Sequence, residues 1–210
     1  MKQPALLTVL LFFCNLLIAQ TPHAIWEDQI NGGYKYVQLD ASTGVKTNIS
    51  SLPSLTGFVM GDASAINSDL NRYHFIAQIN TSRVLFTLDL SSGAILSSPA
   101  ITNTVVGIKY NCNDSTLYGI QVNGNLYNFV KVHPATAALT MVAPISNMQG
   151  YVGGSFSLDL ANQVYTYKAL TGSVFKLRSI DVKTGIVLHD NPFPDNVAGH
   201  KYSPTDNAVY

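Results

Sequence analysis

The sequence predicts an all-β protein made of repeated four-stranded antiparallel sheets, and three observations carry that prediction. Runs rich in β-branched and aromatic residues alternate with turn residues, as in GIKYNCNDSTLYGIQVNGNLYNFVKVHPATAALTMVAPI from Gly107 to Ile145. Turn chemistry every ~8–12 residues is the signature of an antiparallel meander. Sequence markers recur at a step of 45 to 47 residues, the range in which repeat architectures are built. Finally, the strands carry apolar side chains on both faces, so each sheet needs a neighbour on either side.

The markers share one phase. A glycine opens a strand at Gly61, Gly107, Gly154 and Gly199, and an aromatic follows at Tyr73, Tyr118, Tyr165 and Tyr210, with Trp26 extending the series backwards. The third marker is Asp-x-x-Thr/Ser-Gly, at Asp40 to Gly44, Asp89 to Gly93 and Asp181 to Gly185, with a degenerate copy at His133 to Ala137. In that turn the aspartate accepts backbone N–H bonds while glycine supplies the positive φ that reverses the chain. It is expected between the third and fourth strands of each unit.

Two further turns complete the unit. Asn31-Gly32-Gly33, Asn80-Thr81-Ser82, Asn123-Gly124 and Thr171-Gly172 are expected between the second and third strands, Asn-Gly being the strongest short hairpin signal. Ser68-Asp69, Asn113-Asp114, Ala161-Asn162 and Asp206-Asn207 are expected between the first and second. The units run about 21–56, 57–102, 103–149 and 150–195, followed by a partial unit at 196–210.

In Leu126 to Val132, Leu126, Asn128, Val130 and Val132 share one face while Tyr127, Phe129 and Lys131 share the other. Apolar groups on both faces imply a sheet covered on both sides. Glycine at the head of each first strand suits a crowded axis. Four-stranded sheets packed radially are a β-propeller. Here the chain resembles the secreted β-propeller repeats of bacteria, which share a Gly-led inner strand, a tyrosine on the second strand and a hydrophobic-Asp-x-x-Thr-Gly turn. The matching residues are Leu39-Asp40 with Thr43-Gly44, Leu88-Asp89 with Ser92-Gly93, and Ile180-Asp181 with Thr184-Gly185. The resemblance covers nearly all of the chain after its leader and implies architecture rather than activity. Such turns occur in quinoprotein-like, lactonase-like and purely binding propellers, and the tryptophan that follows the turn in quinoprotein repeats is absent.

The first unit lacks its opening strand. In one reading Gly199 to Thr205 supplies it and closes a four-bladed ring, although Ala208 to Tyr210 then duplicates the strand of Ala24 to Trp26. In the other, which is the expectation adopted, the chain is a fragment of a larger ring.

Lys2 followed by the apolar run Ala5 to Ala19 has the form of a secretory signal peptide over residues 1–20. The run falls short of the ~20 apolar residues a spanning helix needs. The protein is therefore expected to be secreted, extracellular or periplasmic, with no membrane span after the leader. Cys14 lies in the leader, which leaves Cys112 alone and allows neither a disulfide nor a metal cluster. Twelve basic residues balance twelve acidic ones, which argues against nucleic acid and anionic membrane surfaces as partners.

No catalytic motif is present. His23, His74, His133, His189 and His200 form no metal-binding spacing, and no nucleophile elbow or phosphate-cradling loop occurs. No cofactor is expected, calcium being the one ion left open. What remains is position. In a propeller the loops entering the first strands and the hairpins between second and third strands share one face. There Asp62, Lys109, Phe156 and His200 follow close behind the repeat glycines and differ from unit to unit. Such a rim suits a polar ligand such as a sugar or peptide. Asn48-Ile-Ser50, Asn80-Thr-Ser82 and Asn113-Asp-Ser115 match the glycosylation pattern. The functional expectation is a non-catalytic module binding protein or carbohydrate at the cell surface. Its alternatives are a lactonase-like or lyase-like enzyme with a site at the axis, and a structural module of a larger surface protein.

Overall fold

The computed structural model describes residues 21–58, 62–193, 202–203 and 208–209, and all regular structure among them is β. Three strands form the first sheet: β1 (His23–Glu27), β2 (Tyr34–Leu39) and β3 (Lys46–Leu52). In the second sheet β4 (Gly57–Phe58) and β5 (Ser64–Asn67) are two pieces of one inner strand, both pairing β6 (Arg72–Ile79), followed by β7 (Ser82–Asp89) and β8 (Ile95–Ser97). The third sheet holds β9 (Thr104–Asn111), β10 (Thr116–Asn123), β11 (Leu126–Val132) and β12 (Leu139–Ile145). The fourth holds β13 (Gly150–Asp159), β14 (Val164–Thr171), β15 (Val174–Asp181) and β16 (Val187–Pro192). Every pairing is antiparallel and, apart from that of β4 with β6, joins consecutive strands, with β5, β9 and β13 meeting in succession at the inner edge.

The turns explain the strand ends. Asp40 Oδ1 accepts from Ser42 N and Thr43 N at 2.9 and 2.8 Å, and Gly44 N donates back to Asp40 O at 2.8 Å. The same bonds recur at Asp89 with Ser91 and Ser92, and at Asp181 with Lys183 and Thr184. The degenerate copy keeps the geometry: His133 Nδ1 accepts from Ala135 N, and Ala137 adopts a φ of 55° where the others have glycine.

Apolar residues on both strand faces produce three cores, one between each pair of successive sheets. The first packs Tyr36 and Leu52 against Tyr73, Phe75 and Phe86. The second packs Ile76 and Leu85 against Val105, Ile108, Leu117 and Val130. The third packs Tyr118, Ile120 and Phe129 against Phe156, Tyr165, Tyr167 and Ile180. Sheets two and three are thus buried on both sides, as radial packing requires.

Each inner strand is interrupted midway. The register changes between Phe58, opposite Ala77, and Ser64, opposite Phe75; β9 bulges opposite Gly119, and β13 bulges between Tyr151 and Phe156. At Gly107 the bulge takes a φ of +62°, and a Cβ there would collide with the Phe156 ring and the Tyr165 hydroxyl. Tyr165 also donates its hydroxyl proton to Gly107 O. Glycine is required at this point by conformation and by space together.

The aromatic marker is less regular than its spacing suggests. Tyr73 lies opposite Leu88 and Tyr165 opposite Ile180, but in the third sheet that place belongs to Leu117, opposite Val132. Tyr118 is one residue further on and so faces the fourth sheet instead of the second. Trp26 lies opposite Lys35, several residues along its strand, with Lys46 Nζ over its ring at 3.1 Å. Tyr210, Gly61 and Gly199 lie outside the described residues.

The pairing that would close a four-bladed ring is not formed by the described part of Gly199 to Thr205. There β17 (Tyr202–Ser203) pairs with β18 (Ala208–Val209) and lies beside β13, while β1 pairs with β2.

Candidate functional site

The links that enter the first strands and the hairpins between second and third strands lie on one face. Two of the expected rim residues meet at the inner edge, part-way along the strands rather than at the hairpins. Lys109 Nζ lies 2.9 Å from Asp62 Oδ2 and 3.4 Å from Ser64 O, joining the second sheet to the third. Their side chains keep 16% and 18% of their exposure. Asp62 also lines a cavity of about 430 Å³ with His23, Ile25, Phe58 and Phe75.

Phe156 is elsewhere. It is fully buried, stacked on Tyr167 at 6.2 Å and tilted against Tyr151 and Tyr165. The bulge in β13 carries extra residues, which turns Phe156 towards the third sheet, so it presents no surface to a ligand. His200 lies outside the described residues.

The same face carries a groove of about 750 Å³ between the third and fourth sheets. One wall is the β10–β11 hairpin with Asn125, Tyr127 and Asn128, and the rim is the link with Ser146, Asn147 and Gln149. The other wall is the fourth sheet, with Thr171, Lys176 and Asp190. Thr171 Oγ1 is buried there without a protein partner. Cross-strand register builds the charged floor, since Arg178 lies opposite Asp190 and Lys176 is two residues away on the same face. Arg178 Nε and Nη2 donate to Asp190 Oδ1 and Oδ2 at 3.1 and 3.0 Å, and Nη1 donates to Ser146 O at 3.0 Å. Lys176 Nζ adds a bond to Asp190 Oδ2 at 3.1 Å. Burial by itself raises the Asp190 pKa, but the Arg178 and Lys176 bonds outweigh it and hold the carboxyl below its ordinary value.

Sequence reasoning missed this groove because its residues are spread over a hairpin, a link and two later strands. The available signal was the alternation in Lys176-Leu177-Arg178, which puts two cations on one face of a strand, with Asp190 on the strand that follows. Chemically the groove offers carboxamides that both donate and accept, hydroxyls, a tyrosine ring and an anchored ion pair. Among the described residues no group of three or more His, Cys, Asp or Glu is placed to hold a metal.

No protein-family model matches the chain, and no curated protein matches it. Solved structures do. TolB from Acinetobacter baumannii superposes with a TM-score of 0.62 at 18% identity, covering 89% of this chain and 45% of that one. The Dos1 propeller gives 0.56 at 13% identity, covering 83% and 47%. An oligogalacturonate lyase from Vibrio parahaemolyticus gives 0.50 at 13% identity, covering 89% and 52%. The chain is therefore a β-propeller in fold: an array of antiparallel blades, four strands each in the third and fourth sheets. It spans about half the length of the structures it matches. No helix among the described residues is long and apolar enough to cross a membrane.

Proposed function

We propose that this chain is a secreted, non-catalytic binding module that takes up a protein or glycan ligand at the cell surface. The ligand docks on the face that carries the hairpins between second and third strands. The observation that carries the reading is the groove between the third and fourth sheets, whose volume of about 750 Å³ falls in the range of small-ligand sites, ~300–1,000 Å³. Its lining mixes amides and hydroxyls with apolar side chains, as recognition of a polar ligand requires. Asp62 and Lys109, paired at the inner edge, are proposed as further ligand contacts together with His200. Residues 1–20 serve as the export leader.

A printed array of neutral and acidic oligosaccharides, run beside an array of extracellular-domain proteins, tests the proposal with wild type and two variants. Asn125→Ala/Asn147→Ala/Gln149→Ala alters exposed groove residues, and Asp62→Ala/Lys109→Ala alters the inner edge. The groove variant is expected to lose binding by about tenfold or more. Equal binding by wild type and both variants would remove this face from consideration. The N-terminal residue of the exported product is expected to be Gln20 or Thr21.

A further inference from the structure

We propose that a second cavity, on the opposite face between the second and third sheets, binds a small tetrahedral oxyanion: phosphate, sulfate or one of their esters. The cavity measures about 360 Å³ and is lined by Arg72, His74, Thr87 and Ser97 from the second sheet and by Pro134 and Ala135 from the third.

His74 is the buried polar element of this site, at 1% exposure. Its ring is stacked on Tyr110 of β9 with a centroid separation of 5.8 Å, and Nδ1 lies 2.9 Å from Thr87 Oγ1. Nε2 has no partner. A buried ring nitrogen without a partner loses its hydration and gains nothing in return, so it calls for an occupant. When the Thr87 hydroxyl donates to Nδ1, the proton sits on Nε2, which then offers a donor to the cavity.

The sign of the occupant follows from the charges around it. Arg72, two residues along the same strand, lines the cavity and brings a guanidinium whose planar fork suits phosphate and sulfate oxygens. Among the described residues no acidic side chain lines the cavity. The nearest acid across the strand pair is Asp89, opposite Arg72, and its Oδ1 accepts from Ser91 N and Ser92 N while Oδ2 accepts from Asn71. The other titratable neighbours are Tyr110 on β9 and His133 at the head of the turn that holds Pro134. A cation is repelled by Arg72, and a neutral ligand leaves that charge unused. Leu96, Pro134 and Ala135 supply the apolar part of the wall. This site is independent of the groove and of the function proposed for it.

The test is an imidazole 1H–15N titration of the whole chain at constant ionic strength, with sodium phosphate, sulfate, phosphoserine and acetate as separate probes. The expected result is a saturable shift at His74 with phosphate or sulfate and a drift at the exposed His189. Arg72→Gln, which changes a surface-exposed side chain, is expected to weaken the affinity about tenfold while leaving the thermal midpoint in place. Phosphoserine binding more tightly than phosphate assigns the site to esters; the reverse assigns it to free anions. The proposal is overturned if His74 only drifts like His189, if acetate matches phosphate, or if Arg72→Gln changes nothing.

Discussion

Phe156 closes directly over the bulge at Gly107, so the fourth blade reads the backbone conformation of the third through a missing side chain. The consequence is a contrast between two glycines of the same repeat position. Gly154 has a φ of +77° and open space around it, whereas Gly107 has a φ of +62° and an aromatic ring against it. Gly154→Ala is expected to lose only backbone strain, ~1 kcal/mol, and Gly107→Ala to add overpacking for a total of ~2–4 kcal/mol. Urea denaturation of the two variants checks the ordering; equal losses would show that Phe156 does not press on the bulge.

Removing Asp190 leaves the Arg178 guanidinium, at 3% side-chain exposure, without a carboxylate among the described residues, bonded to Ser146 O and close to the Tyr167 hydroxyl. Breaking a buried pair from one side costs ~3–5 kcal/mol, but the Asp190 side chain keeps 30% of its exposure, so solvent screening reduces this to ~2 kcal/mol. Asp190→Ala is expected to lose that amount in chemical denaturation. Arg178→Met/Asp190→Ala together should recover part of it, because no charge is then stranded.

His74 gives the protein a specific dependence on pH. Burial first, and the nearby Arg72 charge second, lower its pKa from 6.5 to about 4. Its folded pKa is below its unfolded one, so the unfolded state binds the proton more readily. Stability is therefore highest above pH 6.5, falls as pH drops from 6.5 to 4 and is not lowered further by this group below that. A shift of this size corresponds to a loss of ~3 kcal/mol. Urea midpoints measured in anion-poor buffer at pH 7 and pH 4.5 check this. In His74→Gln the slope across the window should flatten. The turn carboxyls act lower, since hydrogen bonds from Ser42 and Thr43 hold Asp40 down to about 2, and their contribution disappears only in strong acid.

Asp62 and Lys109 join adjacent inner strands through a partly buried pair. A double-mutant cycle with Asp62→Asn and Lys109→Met is expected to show coupling of ~0.5–1 kcal/mol. A coupling of zero would reduce the contact to a surface coincidence.

The blade pattern was legible because turn residues act locally. Asp40, Asp89 and Asp181 make the same bonds whatever packs beside them, and the one substituted copy at His133 repeats them with a different side chain. The aromatic marker misled by a single position, because strand periodicity is two and a slip of one residue sends Tyr118 to the opposite face. Phe156 misled for a related reason, since a bulge changes the count between glycine and side chain without leaving any trace in composition. The groove was illegible because its floor depends on which strand Asp190 pairs with and on the link that carries Ser146, both set by tertiary packing.

The three apolar cores have a mechanical meaning. Each joins only two successive blades, so the array behaves as a chain of clasps in which every link is tested separately. Losing Phe86 loosens the joint between the first and second blades, and losing Tyr167 loosens that between the third and fourth. The two injuries should add with little cross-talk. A stress entering at one blade can then be relieved by letting go a single joint, while the more distant ones stay fastened.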